Sequence, residues 1–176
     1  KTLDFAAFSQ GDYGRAIQEK ELATVISKVL YPEDNHYEGK MLRLRQHYFF
    51  TSATLQYALK DFKRRFGTNF RLLPEKMTIH INDTHPGLAI PELMRLLIDQ
   101  EGLGWDEASW IVQHTVAYTN HTIMAEALEK WPESMMKELL PRIYMILEEI
   151  NRRVCGRLAD HYQNGHDPRI ARMAIN

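Results

Sequence analysis

Residues 77–93 have the sequence MTIHINDTHPGLAIPEL, and the interpretation of the whole chain starts from them. Two isoleucines alternate with polar residues, which predicts a half-buried strand over residues 77–82. The residues that follow are polar or proline, and such residues favour a tight turn. Pro91 suits the first turn of a helix, and leucines follow it at helical spacing. The segment therefore predicts a strand, a polar turn and a helix.

A second polar run follows the next predicted strand. Residues 115–118 are rich in β-forming side chains, and Asn120 and His121 lie just beyond them between two threonines. Two predicted helices separate the strands, so the connection predicts a right-handed crossover between parallel strands. The carboxyl ends of such strands meet at one sheet edge, where open α/β sheets bind ligands. Residues 77–122 are therefore predicted to form a strand–helix–helix–strand unit that brings both polar runs together.

Most of the remaining chain is predicted to be helical, so the expected fold class is α/β and predominantly helical. Apolar residues recur at helical spacing in four further segments, which are residues 13–30, 40–66, 133–140 and 141–162. Residues 31–39 are predicted to form a loop, because Pro32 ends the helix before it. We interpret residues 1–10 as a strand or a packed loop and residues 124–131 as one or two helical turns. The tail beyond residue 168 is interpreted as a helical fragment.

The composition is typical of a globular protein with a buried core. Hydrophobic residues make up 44% and charged residues 26% of the chain, and the net charge is −1. This balance gives no reason to expect a nucleic-acid or membrane partner, and no apolar run approaches the roughly 20 residues of a membrane span. The single cysteine, Cys155, fits a reducing, cytoplasmic setting. Both ends have the character of internal segments, so we expect a part of a longer protein.

The histidines do not predict a metal site. His80 and His85 lie on either side of the predicted turn, and no histidine pair with the helical spacing of zinc ligands accompanies them. The glycine-rich signatures of nucleotide binding and the nucleophile motif of serine hydrolases are also absent from the sequence. The sequence therefore gives no motif that would predict a metal site, a nucleotide-binding site or a serine hydrolase.

Two interpretations of the polar runs stay open on the residues alone. Carboxylate, imidazole and amide groups suit sugar hydroxyls, because each hydroxyl both donates and accepts a hydrogen bond. Those groups are supplied by Asp83, His85, Asn120 and His121. The same residue types are also typical of well-formed turns without a ligand. The polar loop over residues 31–39 is either part of the same pocket or a solvated connection.

Three blocks of sequence resemble hallmarks of the α-glucan phosphorylases, a family that includes the glycogen, starch and maltodextrin enzymes. The blocks are VLYPEDNHYEGKMLRLRQHYFF at residues 29–50, NDTHPGLAIPEL at residues 82–93 and AYTNHTIMAEALEKWP at residues 117–132. They occur in the order of the family and cover nearly the whole chain. The chain is accordingly similar to the later part of the N-terminal domain of these enzymes.

The resemblance implies a glycosyltransferase of the GT-B type, a hexosyltransferase with two Rossmann-like domains. Its members cleave the terminal α-1,4 bond of glycogen or a maltodextrin with inorganic phosphate and release glucose 1-phosphate. They hold pyridoxal phosphate on a lysine of the C-terminal domain, and that lysine has no match in this chain. The resemblance further implies a cytoplasmic homodimer of an allosteric family, and an isolated segment without cofactor or activity.

The resemblance also implies roles for individual residues. Asp83 and His121 match catalytic positions beside the glucosyl unit, where a fixed negative charge stabilises an oxocarbenium-like transition state. Substrate-binding positions are matched by Asn35, Asp34 and His85. Residues 31–39 match a gate loop over the site, and residues 13–30 match a helix that projects to the other subunit of a dimer.

Two rival interpretations compete with a phosphorylase segment. A non-catalytic helical interaction module with the same fold would have no use for the polar side chains that the phosphorylases need. A nucleic-acid binder would use the basic cluster over residues 60–65, but no overall basic balance supports it. Two parallel strands alone do not form a stable sheet, so we also expect exposed apolar edges and self-association of the isolated segment.

Overall fold

The computed structural model describes residues 4–124 and 128–162. Helices dominate this part of the chain, and its strands are short. This confirms the predicted α/β, predominantly helical class. The chain divides into two compact units, Lys1–Ala53 and Thr54–Asn176.

Two helices of the first unit begin at aspartate caps. Helix α1 covers Phe5–Ser9 and helix α2 covers Tyr13–Lys28. The carboxylate of Asp4 accepts hydrogen bonds from two backbone N–H groups in the first turn of α1, and Asp12 accepts one in the first turn of α2. The predicted strand or loop over residues 1–10 is therefore wrong, because the Asp4 cap stabilises a short helix there.

Helix α3 covers Tyr37–Phe66 and begins earlier than the predicted residue 40. The ring of His36 explains the difference, because its Nδ1 accepts the Gly39 N–H at 2.9 Å and so satisfies a donor of the first turn. Further along α3, the side-chain amide of Gln46 donates to two backbone oxygens at the end of α2, at 3.1 and 2.6 Å. These bonds join the two long helices within the first unit.

The second unit alternates helices with two strands. After the end of α3 its elements are a 3-10 turn over Phe70–Leu72, α4 over Leu73–Lys76, β1 over Ile79–Asn82, α5 over Ala89–Arg95, a π-helical turn over Leu96–Gln100, α6 over Trp105–Thr115, β2 over Val116–Thr119, α7 over Glu133–Leu139 and α8 over Pro141–Tyr162. The strands pair in parallel, with Ile79 opposite Val116 and Asn82 opposite Thr119. The predicted parallel pairing is therefore confirmed.

An apolar cluster holds the strands of the second unit in place. Leu93, Leu96 and Leu97 of α5 and the π-helical turn are fully buried, and Ile81 of β1 and Ile111 of α6 belong to the same cluster. Burying each such side chain contributes about 1.5–3 kcal/mol relative to exposure. The cluster fixes the direction of both strands, and therefore where the polar runs after them lie.

The helix that is predicted after the first polar turn changes type in its last turn, where the π-helical turn follows α5. The Glu101 N–H donates to the Leu96 oxygen at 3.1 Å, which closes a wider ring than the α-helical one. Within this turn the carboxylate of Asp99 receives two hydrogen bonds from the guanidinium of Arg142 in α8, at 2.8 and 2.6 Å. The bidentate pair ties the π-helical turn to α8.

We expect the Asp99–Arg142 pair to make stability depend on pH. The hydrogen bonds from Arg142 hold the pKa of the Asp99 carboxyl below its ordinary value of 3.8. The contribution of the pair is therefore full above about pH 4 and is lost as the pH falls through the lowered pKa. Because 31% of the Asp99 side chain is exposed, Asp99→Asn should lower the free energy of unfolding by at most about 1 kcal/mol near pH 7.

Urea denaturation of the wild type and Asp99→Asn at about pH 7 and about pH 2.5 measures this difference, which should be smaller at the lower pH. The control is Glu75→Gln, which removes an exposed ion pair of 3.9 Å with Lys76 and should change stability little at either pH. An equal loss for Asp99→Asn at both pH values would contradict the expectation.

The segment before α7 differs from its prediction. Residues 124 and 128–131 are not helical, which agrees with the bias against helix at a residue before proline, here Trp131. Residues 125–127 of the predicted turns lie outside the described residues. The predicted helical tail beyond residue 168 also lies outside them.

Candidate functional site

The site lies where the two strands of the second unit end. In the parallel register Asn82 pairs with Thr119, and these are the last residues of β1 and β2. Asp83 and Asn120 therefore leave the sheet at the same edge. Both strands of the sheet thus supply polar residues to one small region, as expected for the carboxyl edge of a parallel sheet.

Asp83 turns the chain sharply at this edge. Its φ is +57°, and among the described residues it is the one non-glycine residue with a positive φ. Aspartate and asparagine tolerate this left-handed conformation better than most residues. The backbone N–H of Asp83 donates to the Thr119 oxygen at 2.8 Å, so the turn continues the strand pairing by one residue before the chain bends away.

The structure brings Asp83 and His121 together. The Oδ1 atom of Asp83 accepts a hydrogen bond from the backbone N–H of His121 at 2.6 Å. The ring of the same histidine contacts Asn82, with Nε2 and Oδ1 separated by 3.3 Å. Two neighbouring residues of the first polar run therefore hold the backbone and the ring of His121 in the second run.

His85 lies on the same turn and faces a different carboxylate. Its Nδ1 is 3.4 Å from Oε1 of Glu129, whose side chain is only 12% exposed. The backbone N–H of Glu129 also donates to the Thr84 hydroxyl at 3.5 Å. The segment before α7 is thus attached to the turn after β1, and His85 is placed beside a nearly buried acid.

The side-chain amide of Asn120 is used within its own loop. Its Nδ2 donates to the Thr122 oxygen at 2.6 Å, and its Oδ1 accepts the Thr122 N–H at 3.4 Å. Such local bonds are typical of asparagine in turns. Asn120 therefore shapes the loop that presents His121, and its amide is engaged with backbone rather than directed at the other polar run.

Asp34 and Asn35 belong to the first unit. The Asn35 amide donates to Oε1 of Glu33 at 2.8 Å, and Oδ2 of Asp34 is 3.4 Å from Nη1 of Arg43. Arg43 also hydrogen-bonds the Tyr31 hydroxyl, with its guanidinium carbon 4.7 Å from the Tyr31 ring centroid. The loop before α3 is therefore ordered by polar contacts among its own residues and the first turns of that helix.

Two residues of the site, Asn82 and Glu129, are not among the pocket residues predicted from the sequence, although Asn82 begins the first polar run. The signal for Asn82 is its place at the end of the first strand, opposite Thr119, because His121 follows Thr119 by only two residues. No pattern in the sequence predicts the role of Glu129, because it lies far from His85 along the chain and the two residues meet only in the folded structure. A strand register predicts the first kind of contact, whereas tertiary packing alone decides the second.

A groove of about 660 Å³ between α6 and α8 contains none of the predicted site residues. Its wall includes Arg153, which bonds Asp106 at 2.7 Å and Glu149 at 2.6 Å and lies with its guanidinium carbon 5.0 Å from the Trp105 ring centroid. Hydrogen bonds from Arg152 and then Arg153 lower the pKa of Glu149 to about 2. The charges of Arg153, Asp106 and Glu149 are therefore paired with one another.

Two kinds of site are not found in residues 4–124 and 128–162. No three histidine, cysteine, aspartate or glutamate side chains converge there closely enough to hold a metal ion. None of the helices in the same ranges is both long and apolar enough to cross a membrane. The polar edge of the sheet is therefore the candidate site that these residues support best.

Comparison with known proteins gives matches along the whole chain. A family model described as carbohydrate phosphorylase matches residues 1–176. The muscle form of glycogen phosphorylase from Mus musculus is 49% identical over 175 residues, which are 96% of this chain and 21% of that protein. Glycogen phosphorylase from Bacillus subtilis (strain 168) is 49% identical over 162 residues, 92% of this chain and 20% of that protein. The chain spans about a fifth of the length of the curated relatives it matches.

Proposed function

Because this chain belongs to the carbohydrate phosphorylase family, we propose that it is one segment of a glycosyltransferase that cleaves α-glucans with inorganic phosphate. The parent enzyme would remove the terminal α-1,4-linked glucose of glycogen or a maltodextrin and release glucose 1-phosphate. The observation that supports this most strongly is the match to glycogen phosphorylases over 96% of the chain. The segment alone should be inactive, since it spans only about a fifth of those enzymes.

We assign the catalytic roles at the sheet edge to Asp83 and His121. Breaking a glucosidic bond builds positive charge on the sugar, and a fixed carboxylate nearby lowers the energy of that state. The hydrogen bond of 2.6 Å from the backbone N–H of His121 to Asp83 Oδ1 supports this assignment, because it holds the carboxylate at the residue that carries the imidazole. The imidazole would then meet the sugar hydroxyls while the carboxylate faces the developing charge.

Substrate binding is assigned to His85, Asn35 and Asp34, as the family resemblance implies. The contact of His85 with Glu129 supports this role for His85, because a held imidazole is oriented before a sugar arrives. For Asn35 and Asp34 the support is the ordered polar loop in which they lie. We propose that residues 31–39 act as a gate loop in the parent enzyme.

We further propose that the parent enzyme is a cytoplasmic homodimer. Residues 13–30, which include α2, would contact the second subunit. The support is the apolar surface that α2 exposes within its own unit, since Tyr13 is 61%, Ile17 41% and Leu22 44% exposed. The single cysteine fits a reducing compartment.

The residues of this segment do not fit pyridoxal phosphate, the cofactor that the resemblance implies. The cofactor needs a lysine for its covalent bond and donors for its phosphate. The sheet edge instead presents the carboxylates of Asp83 and Glu129, and among residues 4–124 and 128–162 no lysine takes part in the hydrogen bonds and ion pairs of that edge. We therefore propose that the parent enzyme holds its cofactor with residues outside this segment.

A phosphorolysis assay of the full-length protein tests the proposed function. Glycogen and maltoheptaose are each incubated with inorganic phosphate, and glucose 1-phosphate is measured with phosphoglucomutase and glucose-6-phosphate dehydrogenase. We expect release from at least one of the two glucans, and none when phosphate is omitted or when the 176-residue segment replaces the enzyme. A full-length protein that binds glucans but releases no glucose 1-phosphate would support the alternative of a non-catalytic interaction module.

A further inference from the structure

We propose that Arg43 is a positioning residue for the loop over residues 31–39, and that its guanidinium determines where Asp34 and Asn35 are presented to the substrate. The inference rests on the proposed function for the roles of Asp34 and Asn35, whereas the contacts of Arg43 with the loop are a property of the protein itself. It is carried by the burial of this cation and by the two loop side chains that meet it.

Arg43 is a buried cation and therefore needs polar contacts. It lies in α3 and is only 7% exposed. Removing a charged group from water is unfavourable unless the protein supplies hydrogen bonds and opposite charge in its place. A guanidinium can satisfy several groups at once, because it carries five N–H donors and also stacks on aromatic rings. The loop supplies contacts of both kinds to Arg43.

Two side chains of the loop meet at this guanidinium. Nη1 of Arg43 donates to the Tyr31 hydroxyl, and its guanidinium carbon lies 4.7 Å from the centroid of the Tyr31 ring. The same Nη1 atom is 3.4 Å from Oδ2 of Asp34. One buried group therefore holds the first and the fourth residue of the loop, and Asn35 follows directly after the second of these points.

The next turn of α3 holds the chain that enters the loop. Gln46 donates to the backbone oxygens of Ile26 and Val29 at the end of α2. Residues three apart share one face of a helix, so Gln46 and Arg43 act from the same side of α3. Gln46 contacts backbone atoms before the loop, whereas Arg43 contacts side chains within it. The position of the loop itself therefore depends on Arg43.

Limited proteolysis of the full-length protein tests the structural part of the proposal. Endoproteinase Glu-C cleaves after glutamate, and the loop contains Glu33 and Glu38. Arg43→Met keeps a long apolar side chain but removes the charge and the donors. We expect cleavage in the loop, measured by mass spectrometry of the fragments, to become about fivefold to tenfold faster, because loss of these contacts populates open forms of the loop.

Arg45→Met is the matched control for this variant. It removes the same charge from α3 but from another face, since residues two apart do not face the same side, and it should leave the cleavage rate unchanged. Equal rates for the wild type and Arg43→Met would overturn the proposal. So would an equal increase in Arg43→Met and Arg45→Met.

Tyr31→Leu is the deciding variant if Arg43→Met does not fold. Tyr31 is 71% exposed, so its replacement leaves the core intact. Leucine removes both the hydroxyl and the aromatic ring from the guanidinium, and we expect cleavage in the loop to become about threefold faster. In that case an unchanged rate in Tyr31→Leu would overturn the proposal.

Steady-state kinetics of the full-length enzyme test the consequence for the substrate. A loop that is already in place binds a sugar at lower entropic cost than a loop that is ordered on binding. In the direction of glucan synthesis, Arg43→Met should raise KM for glucose 1-phosphate about fivefold to tenfold and change kcat less than about twofold. Arg43→Lys keeps the charge without the planar group and should recover part of the loss. A lower kcat with unchanged KM would overturn the positioning role.

A double-mutant cycle separates positioning from a general loss of stability. In a background in which Asp34 and Asn35 are both replaced by alanine, Arg43→Met should raise KM no further. The same increase of KM in both backgrounds would overturn the proposal. If the full-length protein releases no glucose 1-phosphate but Arg43→Met still speeds cleavage of the loop, the proposed function fails while the hold of Arg43 on the loop is confirmed.

Discussion

Replacing Asp83 by alanine should lower kcat/KM for phosphorolysis by the full-length enzyme about 10²–10³-fold, the usual cost of removing one fixed electrostatic group from an active site. The substitution has three effects. The negative charge disappears, the His121 N–H loses its acceptor at 2.6 Å, and alanine must adopt the φ of +57° that aspartate tolerates. Steady-state rates with glycogen and with a maltodextrin measure the effect.

The Asp83→Asn variant separates charge from geometry. Asparagine tolerates the left-handed conformation, and its amide oxygen can still accept the His121 N–H, so only the charge is removed. We expect Asn to lose nearly as much activity as Ala if the carboxylate stabilises the transition state. Asp160→Ala, which removes a carboxylate from the exposed end of α8, is the control and should keep its rate. If Asp83→Ala lowered kcat/KM by less than about threefold, Asp83 would not be a catalytic residue.

Replacing Gly39 by alanine should destabilise the beginning of α3 by about 2–3 kcal/mol, since the surrounding backbone has to move. A Cβ atom at this position would lie 1.7 Å from the Glu33 backbone oxygen and 2.9 Å from Cε1 of His36. The shift would also break the bond from the Gly39 N–H to His36 Nδ1. Hydrogen–deuterium exchange of the full-length protein should show roughly 30- to 150-fold faster exchange over residues 40–46.

Gly156→Ala is the matched control for this change. Gly156 lies within α8, and a Cβ atom there would meet nothing within 4 Å. Alanine should therefore stabilise that helix by roughly 0.5–1 kcal/mol through its higher helix propensity. If Gly39→Ala left exchange in the first turns of α3 unchanged, the close approach to Glu33 would not constrain the loop.

The sheet edge was predictable from the sequence because its signals are local and periodic. The alternation before Asn82 and the β-prone residues before Thr119 each identify a strand, and the intervening helices require a parallel crossover. Once parallel pairing is predicted, the residues after both strands must share an edge. The proximity of Asp83 and His121 follows from these rules together with the strand register.

Other features depend on side chains whose partners the pattern does not reveal. The early start of α3 requires the His36 ring to act as a cap, a role that serine, threonine, aspartate or asparagine usually fills. The short α1 requires the Asp4 cap, which outweighs the ambiguous apolar run after it. The contact of His85 with Glu129 joins segments that only the packed core brings together. In each case a cap or a tertiary contact determines the structure, and the spacing of residues in the sequence does not predict it.

The two strands at this edge are each only four residues long and are paired with one another. A ribbon of that size gains little cooperativity by itself. Further strands supplied by the parent polypeptide would stiffen it, and the carboxylate and imidazole at its end would become immobile at the same moment. Completing the sheet would then also fix Asp83 and His121 relative to one another.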